Sequence, residues 1–344
     1  MAMLPAEVPM PSDPLISLVI PAYNCELHIG GSVSAALSQT YPNLEIIVVN
    51  DGSSDRTAQV LAGFGDMIRV IHQENQGVSA ARNVGVAAAQ GQYIAFGDAD
   101  DVMLPGHIAA MMDTMRAAGP GKWWVVSQAY FLSAEGIDLE RPVVVTTSLP
   151  PSKQRMAILQ RNFGNMDALI SADMHREIGG MDSDIDRSED WDYWARALFN
   201  GWRAAFQPHP NVLYRWSDNS LSNDQDGLLA GEDILMDKLR REFWDVMTEE
   251  ERAHLERRDQ LGSPYRLSAR ANDALRARDY STATALFAQA ASLLPDDRRL
   301  QIKAKSMQWF RPSAAYWRKR RLRSDQLNRR YDFVPVGDEA AEAD

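Results

Sequence analysis

The chain has 344 residues, 45% of them hydrophobic and 24% charged, a globular balance that can bury a core and excludes disordered, collagenous and low-complexity classes. Its 36 Lys and Arg against 47 Asp and Glu leave a net charge of −11, which argues against a nucleic-acid binder, because such binding rests on neutralising phosphates. The lone cysteine, Cys25, excludes an intramolecular disulfide framework and a cysteine-based zinc site, suits a reducing cytosol, and reads most simply as a small buried side chain.

Residues 1–13 hold prolines and acids without a basic or apolar stretch and read as a flexible tail, not a signal peptide. No apolar run reaches the ~18–20 residues of a membrane span, so a cytoplasmic protein is expected. Four short β-branched or aromatic runs follow at 15–20, 44–49, 67–71 and 92–96, separated by helix-like stretches at 29–38, 55–64 and 79–89. Short apolar strands alternating with helices predict βαβ units and a mostly parallel sheet covered on both faces. Ligands of such sheets bind outside the carboxyl ends of the strands. Three strand ends would converge there, carrying Tyr23 and Asn24, Asn50 and Asp51, and Asp98 to Asp101.

Beyond Pro105 the pattern predicts strands at 123–131 and 142–147 and a helix at 155–162. An acidic run at 181–192 leads into a helix from Tyr193, with Asp190 or Ser188 able to cap it. After Asn223 the chain turns helical, with Leu235, Leu239, Phe243 and Val246 on one face. Thr248 with Glu251 three residues on forms a capping box. Residues 267–295 fit the spacing of one tetratricopeptide hairpin at Ala271, Ala283, Phe287, Ala290 and Pro295, though not at Arg270. One such hairpin cannot bury its own face, so it must dock on a neighbouring helix, the α/β domain or a partner. The end is basic and aromatic, with Lys303, Lys305, Trp309, Phe310, Arg311, Trp317 and a Lys/Arg run to Arg323. It reads either as a last helix with solvated cations or as a peripheral membrane contact through 303–323. The expected division is a tail at 1–13, an α/β domain at 14–225, a helical region at 226–302, and a basic segment with an acidic tail at 303–344.

Several patterns carry chemistry. Asp98, Asp100 and Asp101 share one short loop after a buried strand, where carboxylates repel unless a cation neutralises them; oxygen ligands suit Mg²⁺ or Mn²⁺. A solvated acidic turn is the plain alternative, but Asp51, at the end of a neighbouring strand, favours a nucleotide site. Gly52 serves a turn and Asp55 a helix cap, which leaves Asp51 unexplained except as a carboxylate pointing into the cleft. Gly77 precedes a helix N-terminus, and Arg82 one turn in could reach a diphosphate or form a surface pair. Asp182, Asp184 and Asp186 mimic an EF-hand start, but Arg187 and Tyr193 occupy its glycine and glutamate positions, which rejects it. Glu189 and Asp190 beside Trp191 could instead supply a general base, or simply enrich a helix start in acids. The six histidines are scattered without an HExxH pair, and neither GxGxxG nor a P-loop is present.

Residues 16–24 (ISLVIPAYN), 48–55 (VVNDGSSD), 75–83 (NQGVSAARN), 96–101 (FGDADD) and 188–194 (SEDWDYW) together resemble family 2 glycosyltransferases of the GT-A fold, in order and spacing, over about residues 14–222. The resemblance implies that fold followed here by an added helical region, a nucleotide-diphosphate-sugar donor, a divalent Mn²⁺ or Mg²⁺, and inversion at the anomeric carbon. It implies that Pro21, Ala22, Tyr23 and Asn24 line the base pocket and that Asp51 bonds the base. It places Arg82 near the ribose and phosphates, Asp98 on the nucleoside and Asp100 on the metal. Asp190 becomes the catalytic base, with Glu189 its nearest competitor, and Trp191 shapes the acceptor site. In the late segment Tyr214-Arg215-Trp216-Ser217, Ser217 stands where a histidine is usual. The expected acceptor is a glycan or lipid-linked glycan of surface polysaccharide synthesis, at the inner face of the membrane. The rival readings are a catalytically weak nucleotide-sugar-binding scaffold and a metal-dependent nucleotidyltransferase.

Overall fold

The computed structural model describes residues 13–133, 136–143, 148–216, 224–309 and 312–328. The described residues form two compact units, one lying within residues 1–148, 164–183 and 200–215 and the other within residues 149–163, 184–199 and 216–344. The first unit begins with β1 (Ile16–Ala22), α1 (Ile29–Leu37), β2 (Leu44–Asp51), α2 (Thr57–Ala62), β3 (Arg69–Gln73), α3 (Val78–Ala88) and β4 (Tyr93–Phe96). It continues with β5 (Val102–Met103), α4 (His107–Ala117), β6 (Trp123–Val126), β7 (Ala129–Ser133) and β8 (Gly136–Pro142). Helix α5 (Pro151–Gln160) lies in the second unit, and the chain returns to the first for β9 (Ala168–Ser171) and α6 (Ala172–Ile178). After α7 (Glu189–Phe199) in the second unit, β10 (Arg203–Phe206) and β11 (Val212–Arg215) complete the first. The rest of the second unit is helical: α8 (Gln225–Phe243), α9 (Glu249–Leu261), α10 (Pro264–Arg276), α11 (Tyr280–Leu293), α12 (Arg298–Trp309) and α13 (Pro312–Asn328).

The four predicted amino-terminal strands and three helices are all present. Seven strands form a sheet in the order β10-β6-β9-β4-β1-β2-β3, parallel except where β9 runs antiparallel between β4 and β6. Successive residues of a strand point to opposite faces. Ile46 and Val48 accordingly join the larger core with Val33 and Met111, while Ile47 and Val49 pack with Ala81 under α3. Both faces are thus buried, which is why β1 and β2 read as near-continuous apolar runs.

The predicted strand at 123–131 is two strands in two sheets. β6 stays in the large sheet, and after buried Ser127 and Gln128 the chain enters β7 of a four-stranded sheet ordered β5-β11-β7-β8. Of the strand predicted at 142–147, Pro142 closes β8, and residues 144–147 lie outside the described residues.

In the second unit, Leu235 and Leu239 are buried as predicted, but exposed Val246 lies beyond α8 in a single turn at 244–246 and does not extend its apolar face. The capping box forms: Glu251 N–H donates to Thr248 Oγ1 at 3.2 Å, and Thr248 N–H donates to Glu251 Oε2 at 2.8 Å. The tetratricopeptide-like hairpin α10–α11 finds its neighbour in a second hairpin, α12–α13. Leu267, Ala271, Leu275, Phe287, Leu300 and Met307 share one core. Among the described residues, no helix is long and apolar enough to cross a membrane.

Candidate active site

The carboxyl ends of β1, β2 and β4 carry the predicted residues of the first unit, except Arg82, which lies on α3. Pro21 and Ala22 are the last two residues of β1 and are buried, while Tyr23 and Asn24 emerge exposed beyond it. Asn24 adopts φ 46°, a left-handed conformation that Asn tolerates better than most residues. Its N–H donates to Ser53 Oγ at 3.0 Å, and its Oδ1 accepts from Ser54 N–H at 2.8 Å. The loops after β1 and β2 are thereby stitched together. Gly52 makes this turn possible: at φ +70°, a Cβ there would sit 2.6 Å from the Asn75 backbone nitrogen.

Asp51 does not point free into the cleft. It is 3% exposed, its Oδ1 accepts from Gln73 Nε2 at 2.7 Å and Gln76 N–H at 2.9 Å, and its Oδ2 accepts from Gly77 N–H at 2.9 Å. The carboxylate clamps the loop that opens α3, and any bond to a base would have to be made beside these three. Cys25 is half-buried, and burial pushes its thiol up to about 11, which leaves it a poor nucleophile.

Arg82, one turn into α3, makes neither a surface pair nor a free anion hook. Its buried guanidinium donates from Nη2 to Asp98 Oδ1 at 2.8 Å. The loop after β4 is pinned from two further sides. Ser32 Oγ of α1 donates to the Asp98 carbonyl at 3.0 Å. Arg215 of β11 donates from its backbone N–H to Asp101 Oδ1 at 2.7 Å and from Nε to the Asp100 carbonyl at 2.8 Å. Ser217 and the remainder of that late segment through 223 lie outside the described residues.

A fourth carboxylate, Asp167, joins this loop without having been singled out from sequence. Ala95 of β4 faces Leu169 of β9 in an antiparallel pair, so continuing the register brings Asp167 beside Gly97, one residue before Asp98. An acid immediately ahead of an apolar strand was the only available signal. Burial and the neighbouring Asp98 push the Asp100 carboxyl up to about 6. Burial, together with the surrounding aspartates, holds Asp101 and Asp167 well above the usual carboxylate range. Among the described residues, Asp101 Oδ2 and Asp167 Oδ1 are buried without a hydrogen-bond partner. Unpartnered oxygens and repelling carboxylates are what a hard divalent cation relieves, so the residues present fit Mg²⁺ or Mn²⁺. Among the described residues, no three His, Cys, Asp or Glu side chains converge as a ready metal cage. Asp100 is the carboxylate of this loop that would hold such a cation, which would neutralise the repulsion among these aspartates.

Asp190 belongs to the second unit, at the second position of α7. Its Oδ2 accepts from Asn162 Nδ2 at 2.9 Å, and its Oδ1 accepts from Trp191 N–H at 2.7 Å. Glu189, one residue earlier, is likewise half-buried. Trp191, expected to shape the acceptor site, is buried. It is 5% exposed, its Nε1–H donates to the Ile158 carbonyl at 2.7 Å, and its ring meets Tyr265 edge-on at 6.4 Å, so it packs in the helical core. Asp192 is fully buried between Arg196, at 2.7 Å, and Lys238, at 3.0 Å.

Residues 17–165 match the family model described as "Glycosyl transferase family 2". An "Uncharacterized glycosyltransferase" of Rickettsia felis is 32% identical over 190 residues, 54% of this chain and 31% of that protein. The "Putative glycosyltransferase EpsH" of Bacillus subtilis is 42% identical over 104 residues, 29% of this chain and 30% of that one. The chain thus spans about a third of the length of these curated relatives. The crystal structure of S. aureus TarS superimposes with a TM-score of 0.57 at 14% identity, covering 85% of this chain and 55% of that chain. Residues 1–349 of TarS in complex with UDP-GlcNAc give a TM-score of 0.56 at 14% identity, covering 86% and 91%. These likenesses agree with the GT-A fold expected from the sequence.

Proposed function

We propose, from the match of residues 17–165 to the glycosyl transferase family 2 model, that the chain is an inverting glycosyltransferase. It moves a sugar from a nucleotide-diphosphate-sugar, with a UDP-sugar as the first candidate, to a hydroxyl of a glycan or lipid-linked acceptor. The observation that carries this reading is the aspartate loop after β4, held by α1, α3 and β11, with buried carboxylate oxygens that have no partner among the described residues. The UDP-GlcNAc bound by the structurally similar TarS supports the donor class.

Each residue then has a task. Arg82 fixes the rotamer of Asp98 through their ion pair and so presents its second oxygen to the nucleoside. Asp51 acts by holding the 75–77 loop in place. Asp100 is the residue to hold Mn²⁺ or Mg²⁺, which when bound would neutralise charge on the departing diphosphate. Asp190 takes the proton of the acceptor hydroxyl, and Asn162 holds that carboxylate in one orientation. Direct attack by the acceptor inverts the anomeric carbon and requires no enzyme nucleophile.

Titration calorimetry with a panel of nucleotide sugars, with and without Mn²⁺, tests the reading. A UDP-sugar should bind in a metal-dependent manner, and Asp100→Asn should abolish that dependence while leaving the melting temperature within a few degrees, because a loop carboxylate supports little of the core. Metal-independent binding by the unsubstituted protein would overturn the role of Asp100. Turnover of a nucleoside triphosphate with pyrophosphate release, and no sugar transfer, would make the protein a nucleotidyltransferase.

A further inference from the structure

The last two helices segregate charge strongly. Residues 298–328 contain ten Lys or Arg and one acid, in a chain whose net charge is −11. On α12 the segregation is also directional. Leu300, Ala304 and Met307 face the hairpin core. Arg298, Ile302, Lys305 and Trp309 follow one another at i, i+4, i+7 and i+11, which places them in one stripe on the opposite face, about 16 Å long at 1.5 Å per residue. All four are exposed, Ile302 at 61% and Trp309 at 87%. On α13, Tyr316 (57% exposed), Lys319 and Arg320 repeat the combination of an aromatic body and cationic heads. Arg298, Lys305 and Lys319 make no ion pair or side-chain hydrogen bond among the described residues.

Not every cation of this segment is free in this way. Lys303 lies inward, with Nζ 3.8 Å from the centre of the Phe287 ring and donating to Asn272 Oδ1 at 3.2 Å. Trp317 likewise anchors inward, its Nε1–H donating to Ser306 Oγ at 2.8 Å. The structure therefore divides a segment that reads uniformly basic and aromatic into an inward set that builds the hairpin and an outward set exposed on its surface, of which Arg320 alone among those named also lies over an inward ring, 5.6 Å from the centre of Trp317. Phe310 and Arg311, which belong to the same segment, lie outside the described residues.

We propose that the outward stripe of α12, with the exposed cations of α13, docks the protein on an anionic lipid surface. Charge complementarity selects the occupant: cations spaced along the stripe suit anionic headgroups, and the interleaved Ile302 and Trp309 suit the boundary between headgroup and acyl chain, where indole rings partition. A purely polyanionic ligand such as nucleic acid would use the cations and gain nothing from an exposed isoleucine.

Co-sedimentation of the full chain with phosphatidylcholine vesicles, with or without about 30% phosphatidylglycerol, tests this. The protein should pellet with the anionic vesicles and stay in solution with the neutral ones. Ile302→Ser with Trp309→Ala should lower partitioning at least ~10-fold. Arg298→Glu, Lys305→Glu and Lys319→Glu together should do the same and abolish the salt dependence. Because all five side chains are exposed, circular dichroism and nucleotide-sugar binding should be unchanged in both variants, which separates this surface from the donor site. Failure to bind anionic vesicles overturns the proposal, as does equal binding to neutral ones. Salt-sensitive binding that survives loss of Ile302 and Trp309, and that a DNA duplex competes away, would make the stripe a polyanion site and also overturn it.

Discussion

Asp190, Glu189 and Asp192 are three acids in four residues at one helix start, and their surroundings separate their roles. Asp192 is 0% exposed and paired with Arg196 and Lys238, so its carboxylate is closed to a substrate hydroxyl. Asp190 is oriented by Asn162 and only half-buried. Asp190→Asn keeps size and hydrogen bonding and removes basicity. It should retain metal-dependent donor binding while transfer falls at least ~100-fold, the low end for a lost general base. Glu189→Gln should leave turnover near the original rate; the reverse pattern in steady-state kinetics would move the base to Glu189. Asp192→Asn should instead destabilise the fold by ~3–5 kcal/mol in urea unfolding, because it strands the buried Arg196 and the half-buried Lys238. The same scale shows why Asp51 was read only in part. Its place at a strand end is written in the chain, but the donors that claim its oxygens come from Gln73, Gln76 and Gly77, on other segments.

Helix α3 sets the position of Arg82, and its seating depends on one residue. A Cβ at Gly85 would lie 2.3 Å from Val19 Cγ1 of β1 and 3.3 Å from Val49 Cγ2 of β2, so α3 rests on the sheet only because that side chain is absent. Alanine is the better helix former by about 1 kcal/mol, yet here overpacking should win. Gly85→Ala should lower stability by ~1–3 kcal/mol in urea unfolding and weaken nucleotide-sugar binding as Arg82 and Asp98 are pushed out of register. An unchanged unfolding midpoint would show that α3 can slide without cost. Element boundaries that rest on local chemistry, such as the Thr248–Glu251 capping box, were legible in advance. The division of 123–131 between two sheets was not, because both halves are apolar and strand-like, and only pairing with β9 and β10 on one side and β8 and β11 on the other separates them.

Across the whole molecule, each unit buries a histidine as a neutral base. Burial pushes His107 down to about 3 and His254 down to about 4. Below the ordinary value of 6.5 the unfolded chain therefore binds protons that the folded chain refuses, so stability should fall as pH drops from about 6.5 towards 4 and be insensitive to these groups above 7. Urea unfolding at pH 7.5 and pH 5 measures the loss. His107→Leu should reduce it, since neither ring nitrogen of His107 has a hydrogen-bond partner among the described residues to forfeit; an unaltered pH profile would assign the acid sensitivity elsewhere. By itself the sequence determined the parallel sheet, the aspartate loop at its carboxyl edge and the helical character of the tail, because apolar periodicity and strand-end polarity are properties of contiguous residues. Only the tertiary structure decided that Asp167 joins that loop, that Asp51 clamps rather than protrudes, that Trp191 is core, and that the basic segment has an inner and an outer face. Each of these depends on which distant segment lies alongside, and burial and charge pairing act between neighbours in space regardless of their separation along the chain.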